Sequence, residues 1–297
     1  MQGFLRLGPS AVIRESYYMV LKTVDLTPRI GTEVQVDKAM LLSGELSQEI
    51  RQLLMQRGVI VVRGIAMRDD EQRAFTQTLG KLRLGTVKAE GEQGLMKVTH
   101  DRKENPVYAE FFPGTFFWHF DGPYEEVPPF ATVLTPRVLS ETGGNTEFAN
   151  TYAAYEDLPD DEKAFLDTLQ VVHTMQSAMW HSYEDPTVEQ VALWRSYPAR
   201  TQSLVWRHRS GRKSLVLAAS AARIVGMHVA ESFDLLQRLT AWATKPEYVY
   251  RHRWRMNDLL IWDNTGTMHR ATPYDVNCGR RLHRFTLDGE EPIRGAA

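Results

Sequence analysis

The stretch Trp118-His119-Phe120-Asp121 decides both the fold and the chemistry that the sequence predicts. It closes a predicted strand, residues 115–120, and residues two apart on a strand project to the same face. His119 and Asp121 are therefore expected to point together. An imidazole and a carboxylate on one face supply two ligands for divalent iron, manganese or zinc. The alternative is a chance pairing of a histidine with a nearby aspartate, because a His-x-Asp triplet alone is a weak signal.

His269 is the best candidate for a third metal ligand. It follows a predicted buried strand, Leu259–Trp262, and the turn Asp263-Asn264-Thr265-Gly266. Two histidines and one carboxylate leave coordination positions open, as in non-heme iron oxygenases. A closed structural zinc site would need a fourth protein ligand. The alternative for His269 is an ordinary hydrogen-bonded histidine near a strand end.

Two arginines follow His269 on the last predicted strand, Arg280–Leu287. Alternate positions of this strand share one face, which carries Arg280, Leu282, Arg284 and Thr286. Guanidinium groups on an inner face are costly without anions, and their geometry suits bidentate pairing with carboxylates. The alternative is an exposed basic strand, although Phe285 and Leu287 indicate that one side of it is buried.

The order of the predicted elements indicates the fold class. Helical patterns lie near the N-terminus, and short strands with helical insertions dominate from Gly94 onward. This order predicts an α+β fold with a β-sandwich or jelly-roll core. We predict an N-terminal extension over residues 1–20 and a single domain over residues 21–297. Residues 175–200 have no clean periodicity, so we predict an inserted loop or lid there.

The composition excludes several classes of protein. Of the 297 residues, 43% are hydrophobic and 24% are charged, which excludes a disordered or collagen-like chain. The net charge of -2 argues against a nucleic-acid partner. The single cysteine, Cys278, excludes an internal disulfide and suits a cytoplasmic location. No apolar stretch approaches the roughly 20 residues of a membrane helix, so no membrane partner is expected.

Taken in order, these motifs resemble the taurine/2,4-dichlorophenoxyacetate dioxygenase family (TauD/TfdA), whose members are Fe(II)- and 2-oxoglutarate-dependent oxygenases. The resemblance runs from about Val24 to about Gly289. Its motifs are His119-x-Asp121, Gly143-Gly144-Asn145-Thr146-Glu147-Phe148, Trp262-Asp263-Asn264 with His269, and Arg280 with Arg284. The segment Val249-Tyr250-Arg251-His252-Arg253-Trp254 is most similar to the phenoxyacetate branch. The resemblance implies a double-stranded β-helix, a cupin-like jelly-roll core flanked by helices.

The resemblance also implies roles for the matching residues. The catalytic iron ligands are matched by His119, Asp121 and His269. Arg280 matches the arginine that pairs the distal carboxylate of 2-oxoglutarate, and Thr146 matches the threonine that hydrogen-bonds this cosubstrate. Arg284 matches a position that contacts the anionic end of the substrate, and we also group it with the cofactor-binding residues. With O2, such enzymes hydroxylate a substrate while 2-oxoglutarate becomes succinate and CO2.

Aromatic residues gather around His119, and they indicate an apolar substrate slot beside the iron, with ordinary core packing as the alternative. We predict substrate contacts from Arg284, Tyr124, Phe117, Thr115 and Lys88. Lys88 lies in Leu82–Lys88, where the taurine enzymes have a histidine and a tyrosine that this chain lacks. Taurine is therefore not the expected substrate.

We expect a small organic substrate with an apolar or aromatic body and an acidic end, and a product that fragments when the hydroxylated carbon bears oxygen, nitrogen or sulfur. One alternative is the same chemistry on an uncharged lipid- or terpenoid-like molecule. Another is a non-catalytic sensor that binds a metal and 2-oxoglutarate. The family resemblance also implies a homo-oligomer.

Overall fold

Short strands make up most of the regular structure. A computed structural model describes residues 21–84 and 94–295, apart from the side chain of Val107. The strands are β1 (Lys22–Asp25), β2 (Thr32–Gln35), β3 (Val59–Val62), β4 (Met96–Val98), β5 (Ala131–Val138), β6 (Thr146–Asn150), β7 (Gln170–His173), β8 (Arg200–Ser203), β9 (Val205–Arg207), β10 (Lys213–Leu215), β11 (Ala221–Ile224), β12 (Val249–His252), β13 (Leu259–Asp263), β14 (Thr267–Ala271) and β15 (Arg281–Thr286).

Helices flank these strands. They are α1 (Lys38–Ser43), α2 (Ser47–Arg57), α3 (Asp69–Leu79), α4 (Pro106–Phe111), α5 (Thr151–Glu156), α6 (Asp160–Leu166), α7 (Met175–Trp180), α8 (Val188–Ser196) and α9 (Val229–Ala243). Two short 3₁₀ helices cover Phe112–Phe116 and Pro246–Tyr248. None of these helices is long and apolar enough to cross a membrane.

Two sheets pack face to face and form the jelly-roll core. The larger sheet has the order β1-β2-β3-β13-β5-β15-β4, and the smaller has the order β12-β6-β14. Every neighbouring pair is antiparallel except β2 with β3. Phe148 and Tyr250 of the smaller sheet pack in one buried cluster with Leu134, Leu260 and Trp262 of the larger sheet. This packing confirms the predicted α+β jelly-roll class.

Strand β3 explains how the larger sheet is covered on both sides. All four of its residues are buried. Val59 and Val61 face the smaller sheet, whereas Ile60 and Val62 pack with the apolar residues of the N-terminal helices, among them Leu54 and Phe75. A strand that is buried on both faces has an uninterrupted aliphatic sequence, as Val59-Ile60-Val61-Val62 does.

Two local predictions differ from the structure. The strand predicted over residues 115–120 is wrong, because a 3₁₀ helix occupies Phe112–Phe116 and only His119 makes a β-bridge. Pro113 and Gly114 explain this difference, since proline suits the start of a helical turn and disfavours a strand. The segment 175–200 contains α7 and α8 where a loop was predicted. The predicted extension over residues 1–20 lies outside the described residues.

Candidate active site

The candidate metal site forms where His119 pairs with β14. The backbone N–H of His119 donates to His269 O at 3.0 Å, and the N–H of His269 donates to His119 O at 2.7 Å. Residues that oppose each other in an antiparallel bridge place their side chains close together. The two imidazole ring centres accordingly lie 4.2 Å apart.

Both imidazoles are prepared to act as neutral ligands. Nδ1 of His119 lies 2.8 Å from the carbonyl oxygen of Phe117, which can only accept a hydrogen bond. Nδ1 of His119 therefore carries the proton, and its Nε2 lone pair is free for a metal. Burial lowers the pKa of His119. Burial, together with the nearby His119, holds the pKa of His269 well below its usual range.

Asp121 completes the group two residues after His119. One carboxylate oxygen lies 4.0 Å from His269 Nε2, and the other lies 3.2 Å from Arg284 Nη2. Burial alone would raise the pKa of Asp121, but Arg284 and the two imidazoles outweigh it and lower this pKa. Asp121 is therefore ionised and suited to bind a cation.

These three side chains fit a divalent iron ion. One ligand atom from each of His119, Asp121 and His269 lies within 4.8 Å of the others. Two neutral imidazoles and one carboxylate are the donor set of non-heme Fe(II) oxygenases, and this set leaves open positions for a cosubstrate and O2. The donor set therefore meets the requirements of a divalent iron ion.

Arg280 is a buried cation whose hydrogen bonds are incomplete. It is 3% exposed, and its Nη2 donates to Gly144 O at 2.9 Å. Its Nε has no hydrogen-bond partner among the described residues. Its guanidinium carbon lies 4.8 Å from the ring centre of Tyr274. Burial lowers the pKa of Arg280, yet an arginine keeps its proton in proteins. A buried guanidinium with an unpaired N–H fits the carboxylate of a cosubstrate.

Gly144 permits this arrangement. Its φ of +62° lies in the left-handed region, and a Cβ at this position would come within 3.0 Å of Arg280 Nε. A side chain here would both strain the backbone and press on the guanidinium group. The Gly143-Gly144 pair in the sequence therefore has a local structural reason.

A cavity lies beside His119, His269, Arg280 and Arg284. Its volume is about 50 Å³. Its polar lining consists of Tyr108, Thr115, His119, Thr146, His269, Arg280 and Arg284. Its apolar lining consists of Val98, Phe112, Leu134, Trp262, Ala271 and Leu282. The cavity thus combines two cations with a largely apolar wall.

The predicted substrate residues have different positions. Thr115 and Arg284 line the cavity. Phe117 lies outside its lining, with its ring centre 5.9 Å from that of His181. Tyr124 also lies outside it. Lys88 lies outside the described residues.

Sequence reasoning missed Tyr108 as a lining residue. Tyr108 lies on α4, where Asn105 caps the helix and Pro106 occupies its first turn. Asparagine followed by proline is a recognisable helix start, so the helix itself could have been predicted. The contact of its ring with Phe112, at 5.6 Å between ring centres, is a local contact between residues four apart on a helical turn. The position of Tyr108 in the cavity with Arg280 depends on the three-dimensional fold.

The comparisons with known proteins agree with this geometry. Residues 22–286 match the family model described as "Taurine catabolism dioxygenase TauD, TfdA family". The chain is 34% identical over 272 residues to an alpha-ketoglutarate-dependent 2,4-dichlorophenoxyacetate dioxygenase of Burkholderia sp. (strain RASC), covering 86% of this chain and 91% of that protein. It is 30% identical over 277 residues to an alkylsulfatase of Acinetobacter baylyi, covering 89% of this chain and 84% of that protein.

Solved structures lead to the same family. The crystal structure of AAD-2 in complex with Mn(II) and N-oxalylglycine superposes with a TM-score of 0.77 at 31% identity, covering 93% of this chain and all of that one. Two of the matching relatives are named as alpha-ketoglutarate-dependent 2,4-dichlorophenoxyacetate dioxygenases, so the alternative of a non-catalytic sensor is not supported. The chain therefore belongs to the TauD/TfdA family of Fe(II)- and 2-oxoglutarate-dependent dioxygenases.

Proposed function

We propose that this dioxygenase hydroxylates a small organic acid with an apolar or aromatic body. The observation that carries the proposal is Arg284, whose side chain lines the cavity and whose Nη2 lies 3.2 Å from the metal-ligand candidate Asp121. A guanidinium at this position would hold the acidic end of a substrate beside the reacting centre.

The charges around the cavity support an anionic substrate. Arg280, Arg284 and a divalent metal ion outweigh Asp121 and the two carboxylates of 2-oxoglutarate by one positive charge. Burying an unbalanced charge in a cavity with apolar walls is costly, and a monoanionic substrate would balance it. The names of the relatives agree, because dichlorophenoxyacetate and alkyl sulfates are anions with apolar bodies.

Each residue of the site has a proposed task. His119, Asp121 and His269 would hold the iron, while Arg280 and Thr146 would bind and orient 2-oxoglutarate. When bound, iron with 2-oxoglutarate and O2 would supply the oxidising chemistry, in which 2-oxoglutarate becomes succinate and CO2. The apolar wall, with Leu134, Leu282 and Phe112, would hold the substrate body and exclude water.

The product of such a hydroxylation can fragment. A hydroxyl group added to a carbon that bears an ether oxygen gives a hemiacetal. This product breaks into a carbonyl compound and an alcohol without a further oxidant. We propose this outcome for aryl ethers.

Two further expectations stay predictions. They are a cytoplasmic location and assembly into a homo-oligomer.

Matched pairs of substrates test the proposal. Succinate formation and O2 uptake would be measured with aryloxyacetic acids and with their methyl esters. We expect the acids to be turned over in preference to the esters. The Arg284→Gln variant should raise KM for the acids by about 30-fold or more, because a buried charge pair is lost. The binding of 2-oxoglutarate should change much less.

Arg281→Gln is the control for this experiment. Arg281 lies on β15 three residues before Arg284. Its side chain lies near Glu104, with 3.8 Å between Nη1 and the carboxylate. This variant should leave KM for the acids unchanged. Equal turnover of acids and esters, with no effect of Arg284→Gln, would instead favour an uncharged apolar substrate.

A further inference from the structure

Trp254 makes a polar contact with the cosubstrate pocket that the proposed function does not use. Its indole Nε1 donates to Thr146 Oγ1 at 3.0 Å. Thr146 is 6% exposed and lines the cavity beside the metal ligands. The register of the smaller sheet explains this contact, because Thr146 pairs with His252 and Trp254 follows His252 by two residues.

The hydrogen bond fixes how the threonine hydroxyl can act. An indole N–H only donates, so Thr146 Oγ1 must accept at that position. The hydroxyl proton of Thr146 has no acceptor among residues 21–84 and 94–295. It is therefore available to a ligand in the cavity, and Trp254 removes the competing orientation in which this proton would point at the indole.

The indole itself is held from behind. The ring centre of His252 lies 4.4 Å from that of Trp254 in an edge-on contact. His252 is fully buried, its Nδ1 lies 3.1 Å from Tyr250 Oη, and its Nε2 lies 3.2 Å from Asp258. Asp258 also pairs with Arg63 and accepts from the backbone N–H of Arg255. These contacts restrain the ring that orients Thr146.

We propose that Trp254 is a positioning residue that presets the Thr146 hydroxyl as a donor to the carboxylate of 2-oxoglutarate held by Arg280. The inference rests on the proposed role of Thr146 in binding the cosubstrate. Preorganised donors bind an anion more tightly than donors that must first reorient. The effect belongs to cosubstrate affinity, and Trp254 itself does not touch the reacting atoms.

A double-mutant cycle tests the inference by binding alone. 2-Oxoglutarate would be titrated into Mn(II)-loaded protein in a calorimeter without O2. Thr146→Val should raise the Kd for 2-oxoglutarate about tenfold, and Trp254→Phe should raise it about fivefold, as for loss of one oriented hydrogen bond to a charged group. In the Thr146→Val background, Trp254→Phe should change the Kd by less than about twofold, because the hydroxyl it orients is gone.

Trp242→Phe is the matched control. The Trp242 indole also donates a hydrogen bond, to Ala154 O at 2.8 Å, but it lies outside the cavity lining. This variant should leave the Kd unchanged. Replacing Trp254 by the sulfur isostere benzothienylalanine keeps the ring shape and removes only the N–H. It should give the same fivefold loss, and it serves if Trp254→Phe does not fold.

Two results would overturn the inference, and they differ in what else they overturn. If Trp254→Phe raises the Kd equally in both backgrounds, or not at all, Trp254 does not act through Thr146. The proposed binding of 2-oxoglutarate by Thr146 would survive that result. If Thr146→Val itself leaves the Kd unchanged, the proposed role of Thr146 fails as well.

Discussion

The two faces of strand β6 differ in how their polar groups are satisfied. Thr146 and its neighbour Glu147 point to opposite faces, because side chains alternate along a strand. On the outer face, Glu147 accepts from Arg251 Nε at 2.6 Å and from Arg270 Nε at 2.7 Å. On the inner face, Thr146 lines a cavity together with Arg280, whose Nε is unpaired within the part of the chain that the structure describes.

The register of the smaller sheet explains why Glu147 is fully paired on the outer face. Arg251 of β12 and Arg270 of β14 are the direct cross-strand partners of Glu147. The Glu147 carboxylate therefore accepts a hydrogen bond from one arginine on each of the two neighbouring strands. Polar groups that pair among themselves support the fold, whereas the unpaired Nε of Arg280 lies in a cavity where a ligand can pair with it. We therefore expect substitutions beside the cavity to weaken ligand binding, and substitutions on the outer face to lower the stability of the fold.

The largest effect is expected from removing one of the candidate metal ligands that line the cavity. His119→Ala should lower iron-dependent turnover at least about 1,000-fold, because it leaves two protein ligands for the metal. It should also abolish the rise in Tm that Mn(II) gives the parent protein, since a metal stabilises only a chain that binds it. Thermal unfolding with and without Mn(II) measures the second effect.

His228→Ala is the control for this loss. His228 caps α9 outside the cavity, so its variant should keep the metal-induced rise in Tm. Normal turnover by His119→Ala would mean that the metal ligands are assigned wrongly.

A smaller effect on binding, without a loss of stability, is expected for Arg280. Arg280→Gln should raise the Kd for 2-oxoglutarate about 100-fold, because a buried charge pair is lost. The free energy of unfolding of the ligand-free protein should stay equal or rise, since the variant removes a buried cation with an unpaired N–H. Calorimetry and urea unfolding measure the two quantities. A fall in stability with an unchanged Kd would place Arg280 among the structural residues.

The smallest effect, and one of the opposite kind, is expected on the outer face. Glu147→Gln should lower the free energy of unfolding by about 1–3 kcal/mol, because two arginines lose their shared carboxylate. The Kd for 2-oxoglutarate should change by less than about twofold. Urea unfolding of this variant would be compared with that of Glu141→Gln, a change at an exposed residue. A selective loss of cosubstrate binding would contradict the division between the two faces.

The pH dependence of this stability follows from the pKa of Glu147. Burial opposes ionisation, but hydrogen bonds from Arg270 and Arg251 outweigh it and lower this pKa below its ordinary value of 4.5. The folded protein therefore binds a proton less readily than the unfolded chain. The stabilisation is complete above pH 4.5 and declines as the pH falls below that value. The difference in free energy of unfolding between Glu147→Gln and the parent protein should therefore decrease as the pH falls below 4.5.

The sequence predicted which side chains lie close together, among them His119, Asp121 and His269, better than it predicted the local structure around them. The predicted strand over residues 115–120, which carries His119, is instead a 3₁₀ helix followed by a single β-bridge. Alternation on β15 was informative because it is local. It correctly grouped Arg284 with Thr286, whose side chains are joined by a 3.1 Å hydrogen bond.

Contacts between distant parts of the chain could not be predicted. His119 and His269 were grouped as candidate metal ligands, but the backbone bridge that joins these two distant residues follows from no local pattern in either segment. Helix α8 was missed for a different reason. Val188 and Leu193 are exposed while Trp194 is buried, so its apolar residues form no clear stripe at helical spacing.

The position of β15 in the larger sheet has a consequence for protein synthesis. β15 follows all the other described strands in the chain, yet it lies between β5 and β4. Until it is made, both of those strands present unpaired edges, which are prone to associate with other chains. Arg280 and Arg284 arrive with the same segment. Because we propose that Arg280 binds 2-oxoglutarate, a nascent chain that still lacks β15 is expected not to bind this cosubstrate. At the same stage its unpaired strand edges are most exposed to aggregation.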